Sequence, residues 1–197
     1  IVEPMSIQAI VNTIGVEIHQ AAVSGARDLL LTPGNYGLDF LKETALLPEK
    51  IPCVKFSNFV GEALDIAVSE GFQTALLVGH IGKLVKLAQG VMNTHSKYAD
   101  CRTELFALEA MFHGASIEVG QEIYHCLTTD EVTKILKREQ IFEPVMDKVT
   151  ERIDFYMQHR VHGKIKTAAF MFSNVYGILG KTKAADELIQ LHKQKGE

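Results

Sequence analysis

The first hydrophobic pattern along the chain has helical spacing. Ile7, Ile14 and Ile18 fall on one face of residues 6–24, and polar residues take the opposite face. Apolar residues spaced three and four apart predict an amphipathic helix. Gly25 is placed to end it.

Three short apolar runs follow, each succeeded by a loop bearing Gly or Asn and then by a helical pattern. The runs alternate little between apolar and polar residues, which is typical of strands covered by helices on both faces. Alternating strands and helices favour a parallel sheet. We predict strands at residues 29–31, 53–56 and 75–78, and helices over 38–47, 58–69 and 83–89.

Residues 102–161 contain no strand-like run and show several helical patterns. One of them opens with Thr128-x-x-Glu131, the spacing of a capping box. We therefore expect a helical insertion over about residues 102–161. After it, a strand is predicted at 165–172 and a loop over 173–180.

A closing helix is predicted over residues 182–195. The expected fold is α/β, a mostly parallel open sheet with helices on both faces and a helical insertion before the last strand. We expect residues 1–197 to form a single α/β domain, because no Pro/Gly/Ser-rich linker divides the chain. The chain opens at Ile1 without an initiator Met, so we expect it to be part of a longer protein.

The composition argues against several classes of binding partner. With 47% hydrophobic residues the chain can bury a sizeable core. Its formal net charge of −4 gives no global positive field for nucleic acid or for an anionic membrane surface. The longest apolar runs fall far short of the roughly 20 residues that a membrane-spanning helix needs.

The three cysteines, Cys53, Cys101 and Cys126, are widely spaced and form no CxxC pair. This predicts reduced thiols in a cytoplasmic protein and no protein-bound metal.

Polar loops follow all four predicted strands. In an open parallel sheet, ligands bind beyond the carboxyl ends of the strands, where such loops gather. Each glycine there can be a turn residue or a point of close ligand approach, and Ser or Asn can cap a helix or bind a ligand. The candidates are Thr32, Gly34, Asn35, Tyr36 and Gly37; Ser57 and Asn58; Gly79, His80, Gly82 and Lys83; and Ser173, Asn174 and Tyr176.

A further polar loop covers residues 90–102 and has no obvious structural purpose. Long loops in compact domains are often functional. Its histidine, like His80, can equally be a satisfied structural group. The loop adds Asn93, Thr94, His95, Lys97, Asp100 and Arg102 to the candidates, and Lys86 precedes it.

Familiar catalytic motifs are missing from the sequence. Residues 79–83 lack the four-residue gap and the following Ser/Thr of a phosphate-binding P-loop, and no GxGxxG follows the first strand. Neither a GxSxG elbow nor an HExxH pair is present. A hydrolase or metal site is therefore not predicted.

Six segments of the chain are distinctive when they are taken together. They are IVEPMS at 1–6, LTPGNYG at 31–37, KFSNFVG at 55–61, LVGHIGKLVKL at 77–87, MNTHSKYAD at 92–100 and FSNVYG at 172–177. In this order they resemble the CbiD family of cobalt-precorrin-5B (C1)-methyltransferases. The resemblance is dense over residues 1–113, resumes at 172–177, and indicates the C-terminal portion of a family member.

The resemblance implies transfer of a methyl group from S-adenosylmethionine to carbon 1 of cobalt-precorrin-5B, giving cobalt-precorrin-6A, in anaerobic cobalamin (vitamin B12) biosynthesis. Cobalt would enter only as part of this corrinoid. An N-terminal domain of the same chain is an expected partner, and a homo-oligomer is compatible with the sequence.

The same resemblance suggests roles for the candidates. His80, His95 and Asp100 are expected at the reacting centre. The residues expected at the S-adenosylmethionine are Thr32, Gly34, Asn35, Tyr36, Gly37, Ser57, Asn58, Gly79 and Gly82. Local donors are expected to hold the carboxylates of the corrinoid. These are Lys83, Lys86, Asn93, Thr94, Lys97, Arg102, Ser173, Asn174 and Tyr176.

Two other functions stay open at this stage. The same loops suit a non-enzymatic α/β module that binds a nucleotide-like or anionic metabolite. A purely structural role in a biosynthetic complex is the third interpretation, and it leaves the many polar loops at one sheet edge unexplained.

Overall fold

The computed structural model describes residues 6–47 and 52–194. In this part of the chain a five-stranded sheet has the order β2-β1-β3-β4-β5. Neighbouring strands from β2 to β4 are parallel, and β5 runs antiparallel to β4. The strands are β1 (Asp28–Thr32), β2 (Cys53–Lys55), β3 (Thr74–His80), β4 (Lys166–Ser173) and β5 (Gly177–Lys181).

Helices cover the sheet and extend beyond it. A 3₁₀ helix, Val85–Gln89, directly follows the short α4. The α-helices are α1 (Ile7–Val23), α2 (Asn35–Glu43), α3 (Val60–Ser69), α4 (Ile81–Leu84), α5 (Arg102–Phe112), α6 (Ile117–Tyr124), α7 (Thr129–Arg138), α8 (Phe142–Arg160) and α9 (Ala185–Gln194).

Two hydrophobic cores lie on opposite faces of the sheet. Leu29 and Leu31 of β1 contact the larger core, which α1, α3 and the insertion helices complete. Leu30 points to the other face, where α2 and α9 cover it. Successive side chains of a strand point to opposite faces, and a core covers each face, so the side chains on both faces must be apolar. This explains the nearly continuous apolar runs in the sequence and confirms the expected fold class.

The helical insertion between β3 and β4 consists of α5 to α8. Its longest helix, α8, packs against β4 and the 3₁₀ helix. The predicted capping box starts α7: the Thr128 hydroxyl accepts from the Glu131 N–H at 3.2 Å, and the Glu131 carboxylate accepts from the Thr128 N–H at 2.9 Å. The local sequence thus fixes where this helix begins.

Some predicted elements differ from the structure. The loop predicted over 173–180 is wrong at its far end, where β5 forms a hairpin with β4. Gly177, at a φ of 69°, makes the tight turn, and Leu179 is buried while Ile178 is exposed. This two-residue alternation is too short to stand out in the sequence.

Helix bounds also differ by a few residues from the predictions. The helix predicted over 38–47 is α2, which ends at Glu43, and the one predicted over 83–89 is α4 followed by the 3₁₀ helix. Residues 1–5 and 195–197, on which the family resemblance and the closing-helix prediction partly rest, lie outside the described residues.

Candidate functional site

A crevice of about 540 Å³ lies beyond the carboxyl ends of β1 and β3. These strands are parallel neighbours, so the loops that follow them meet at one edge of the sheet. The crevice brings together eight of the predicted residues: Gly34, Tyr36, Gly37, His80, Gly82, Lys83, Arg102 and Asn174.

The other wall of the crevice was not predicted. Residues 127–130, at the start of α7, face the strand-to-helix loops. The capping-box motif located the beginning of this helix in the sequence. Nothing in the local pattern shows that the helix lies over the sheet edge, because that placement depends on long-range packing of the insertion.

His80 is the last residue of β3 and the N-cap of α4. Its Nδ1 atom accepts a hydrogen bond from the Gly82 N–H at 3.1 Å, and its ring packs edge-on against Phe172. Burial lowers its pKa below the ordinary 6.5; nearby Asp130 opposes that shift, and Arg102 adds to it. We assign the neutral tautomer with the proton on Nε2, since an accepting Nδ1 carries none. In this state the ring is a hydrogen-bond donor toward a ligand.

Three glycines around the crevice serve different purposes. A Cβ atom on Gly37 would lie 2.9 Å from both the Thr32 side chain and the Val78 carbonyl oxygen, and one on Gly79 would lie 2.9 Å from Pro33. These two glycines let the loops pack on one another. Gly82 instead leaves space inside the crevice, because a Cβ there would meet only ordinary or slightly tight contacts.

Lys83 brings a positive charge to the rim of the crevice. Its Nζ donates to the Asn58 Oδ1 at 2.8 Å and to the Ser57 carbonyl at 3.5 Å. Within residues 6–47 and 52–194, no carboxylate forms an ion pair with it. Burial, followed by the charge of Lys86, lowers its pKa. An anionic ligand beside Lys83 would favour the charged form of its side chain.

Arg102, the first residue of α5, lines the crevice and is held by Asp100. The Arg102 Nε and Nη2 atoms donate to the two carboxylate oxygens of Asp100, each at 2.6 Å. This bidentate pair keeps the pKa of Asp100 below its ordinary value. It also fixes the guanidinium plane, and since Nη1 has no hydrogen bond to any described residue, Nη1 can donate to another acceptor.

Lys86 and Thr94 stabilise the polar loop and do not line the crevice. Lys86 is only 3% exposed, and its Nζ donates to the carbonyls of Thr94 at 3.2 Å and Ala99 at 2.9 Å. The Thr94 hydroxyl donates to the Asn58 Oδ1. A buried lysine held by carbonyls in this way organises the chain around it.

The exposed part of the same loop lies away from the crevice. The His95 Nδ1 atom accepts a hydrogen bond from the Lys97 backbone N–H at 3.1 Å, and the His95 backbone N–H donates to the Asn93 Oδ1. Lys97 packs over the ring of Tyr98. The structure therefore does not bring the predicted His95, Lys97 and Asn93 together with His80.

Four further candidates lie around the crevice without opening into it. The Thr32 side chain is fully buried beside Cys53, and Asn35 begins α2. The Ser173 hydroxyl donates to Asp130 at 2.6 Å, and the Tyr176 ring lies under Lys137. Ser173 and Tyr176 thus contact α7, whose start lines the crevice.

A larger cavity, of about 850 Å³, lies between α1 and the first residues of β1 and β2. It sits away from the carboxyl edge, where the strand-to-helix loops converge, and so does not share the candidates above. Among the described residues, no group of three or more His, Cys, Asp or Glu side chains is arranged to hold a metal ion. Nor does any helix in those ranges have the length and apolarity to cross a membrane.

An open, mostly parallel sheet with a crevice over its carboxyl edge defines the class of α/β domains that bind small ligands at that edge. The chain belongs to the CbiD family. The family model described as the C-terminal domain of CbiD matches residues 93–183.

Three similar proteins carry the same name. The chain is 42% identical to the cobalt-precorrin-5B C(1)-methyltransferase of Ruminiclostridium cellulolyticum, over 89% of this chain and 45% of that protein. Proteins of the same name from Alkaliphilus metalliredigens and Clostridioides difficile are 34% and 31% identical, over 100% and 97% of this chain. They are covered over 52% and 47% of their length, so the chain spans about half the length of the curated relatives it matches. No solved structure matches the chain.

Proposed function

We propose that the protein to which this chain belongs methylates carbon 1 of cobalt-precorrin-5B with S-adenosylmethionine, giving cobalt-precorrin-6A in cobalamin biosynthesis. The observation that carries this proposal is that relatives aligned over 89–100% of the chain are named for methylation of that substrate. The chain would be a single α/β domain forming the C-terminal part of the enzyme.

The size of the crevice supports S-adenosylmethionine as the ligand bound there. Its volume of about 540 Å³ falls within the range of small-molecule sites. A nucleoside joined to an amino acid fits a space of this kind. The wide corrinoid ring needs additional surface, which we assign to the remaining half of the enzyme.

The charges around the crevice support a ligand that carries both signs. Lys83 and Arg102 offer donors to carboxylates, while Asp130 faces the same space. The exposed ring of Tyr36 can lie against a sulfonium cation. Such groups bind and orient the methyl donor beside the corrinoid.

The main contribution of the protein to this reaction is to position the methyl donor relative to carbon 1 of the corrinoid. The bond between sulfur and the methyl carbon breaks as the new carbon–carbon bond forms at carbon 1. The sulfur, the methyl carbon and carbon 1 must therefore lie along one line. His80, as a neutral Nε2–H donor, suits holding a ligand in place and does not suit accepting a proton. Asp100 acts through Arg102, whose orientation it fixes.

Isotope transfer tests this proposal. The full-length enzyme is incubated with cobalt-precorrin-5B and S-adenosylmethionine labelled with ¹³C in its methyl group. We expect one labelled methyl group on carbon 1, seen by NMR of the product. Label that stays on the donor, or that reaches another ring carbon, would contradict the proposal; ligand binding without any transfer would favour a binding module.

A further inference from the structure

The wall of the crevice formed by the start of α7 presents a hydroxyl group that has no partner in the described part of the chain. Thr129, the first residue of α7, is 5% exposed and lines the crevice. Its carbonyl accepts from the Thr133 hydroxyl at 2.8 Å, but within the described ranges its own hydroxyl has no hydrogen bond. The hydroxyl oxygen is open to the crevice, so it can form a hydrogen bond with an occupant there.

Arg102 directs its remaining donor to the same place. A Cβ atom on Gly82 would lie 3.5 Å from the Thr129 Oγ1 and 3.6 Å from the Arg102 Nη1. Both atoms therefore border one small space, which the glycine leaves empty. Because Asp100 occupies the other side of the guanidinium, Nη1 is pre-oriented toward this space.

The start of α7 adds backbone donors. The N–H groups of Thr129 and Asp130 lie in the first turn, where a helix supplies no acceptors. The capping box satisfies the donors on either side of them, those of Thr128 and Glu131. The first turn of this ten-residue helix thus favours a negatively charged oxygen near Thr129.

A negative charge lies beside these donors. The Asp130 Oδ1 accepts from the Ser173 hydroxyl at 2.6 Å, which fixes the carboxylate at the crevice wall. No cation of the described chain forms an ion pair with it. The first turn of α7 therefore presents donors for an anion and a carboxylate for a cation.

We propose that this part of the crevice, between Arg102 and the start of α7, binds the α-amino carboxylate end of the ligand. The Thr129 hydroxyl and the Arg102 Nη1 hold the carboxylate, and the Asp130 carboxylate holds the ammonium group. The inference rests on the proposed function, since S-adenosylmethionine ends in such a zwitterion. It adds two residues of the helical insertion, Thr129 and Asp130, to the ligand contacts.

Calorimetric titration of the full-length protein with two probes tests this inference. S-adenosylhomocysteine carries the amino-acid end, and 5′-methylthioadenosine is a related nucleoside without it. We expect Thr129→Val and Asp130→Asn each to weaken S-adenosylhomocysteine binding about tenfold. Binding of 5′-methylthioadenosine should change by less than about twofold.

Matched variants control for general effects. Thr129→Ser keeps the hydroxyl and should retain wild-type affinity. Thr13→Val changes an exposed threonine of α1, and Asp186→Asn changes the second residue of α9 as Asp130→Asn changes that of α7. Both should bind like wild type, and thermal unfolding confirms that each variant is folded.

The outcomes separate this inference from the proposed function. If wild type binds S-adenosylhomocysteine but Thr129→Val and Asp130→Asn bind it equally well, the inference is overturned and the proposed function stands. Equal weakening of both probes would also overturn it, because the variants would then alter only the crevice shape. If wild type binds neither probe, the proposed function and the inference fail together.

Discussion

At the scale of single residues, the neighbours of each glycine around the crevice decide what that glycine does. Gly37 lies in the first turn of α2, Gly79 in β3 and Gly82 in α4. Whether a glycine admits another loop or a ligand depends on neighbours distant in sequence, such as Thr32 beside Gly37. Only the assembled structure separates these two uses.

Gly37 and Gly15 form a matched pair of helical glycines. Alanine at Gly15 finds an ordinary contact at 3.7 Å, so the gain in helix propensity should stabilise the protein by about 0.5–1 kcal/mol. Alanine at Gly37 would overlap the Val78 carbonyl and should destabilise it by about 1–3 kcal/mol. Urea unfolding of both variants checks this; equal stabilities would contradict the packing described.

We expect the free energy of unfolding to depend on pH through His80. Its folded pKa lies below the ordinary 6.5 because of burial, so the unfolded chain takes up a proton first as the pH falls. The stability due to neutral His80 is complete above 6.5 and is lost as the pH falls from there toward the folded pKa.

His80→Asn separates this contribution from those of other groups. Asparagine keeps an acceptor for the Gly82 N–H but cannot titrate. Between about pH 7.5 and 5.5 the wild type should lose more unfolding free energy than the variant. Parallel curves from urea unfolding would show that His80 is not held neutral.

At the scale of elements, the sequence predicts most of the crevice wall that the loops after β1 and β3 form. It predicts none of the second wall, which the start of α7 forms. The loops after β1 and β3 meet because parallel neighbours end at one edge, a rule that needs no coordinates. The second wall depends on how α7 packs, and its Asp130–Ser173 contact joins residues 43 positions apart. Periodicity reports the buried face of a helix but not the element that covers it.

Ser173→Ala tests how α7 is held over the sheet edge. The Ser173 hydroxyl donates to Asp130 and accepts from the N–H groups of Val175 and Tyr176. Losing this buried hydroxyl should cost about 1–3 kcal/mol and increase hydrogen exchange at the start of α7. Ser69→Ala, an exposed serine of α3, is the control. Unchanged exchange in α7 would show that the contact does not hold the helix.

At the scale of the whole molecule, the sequence predicts a mostly parallel open sheet but not its order. Apolar runs at 29–31, 53–56, 75–78 and 165–172 locate four strands, whereas the placement of β1 between β2 and β3 comes from the assembled cores. The edge strand β5 escaped prediction because its pattern is short and includes two glycines. The candidate site was predicted best where it depends on adjacent parallel strands.

The central claim is that the crevice between the sheet edge and α7 holds the methyl donor. Titration calorimetry with S-adenosylhomocysteine, on the full-length wild type and on Gly82→Leu, tests it most directly. A leucine side chain at Gly82 would fill the space bordered by His80, Thr129 and Arg102. We predict saturable one-site binding by the wild type and none by the folded variant. Equal binding by both proteins would place the methyl donor elsewhere and contradict the account.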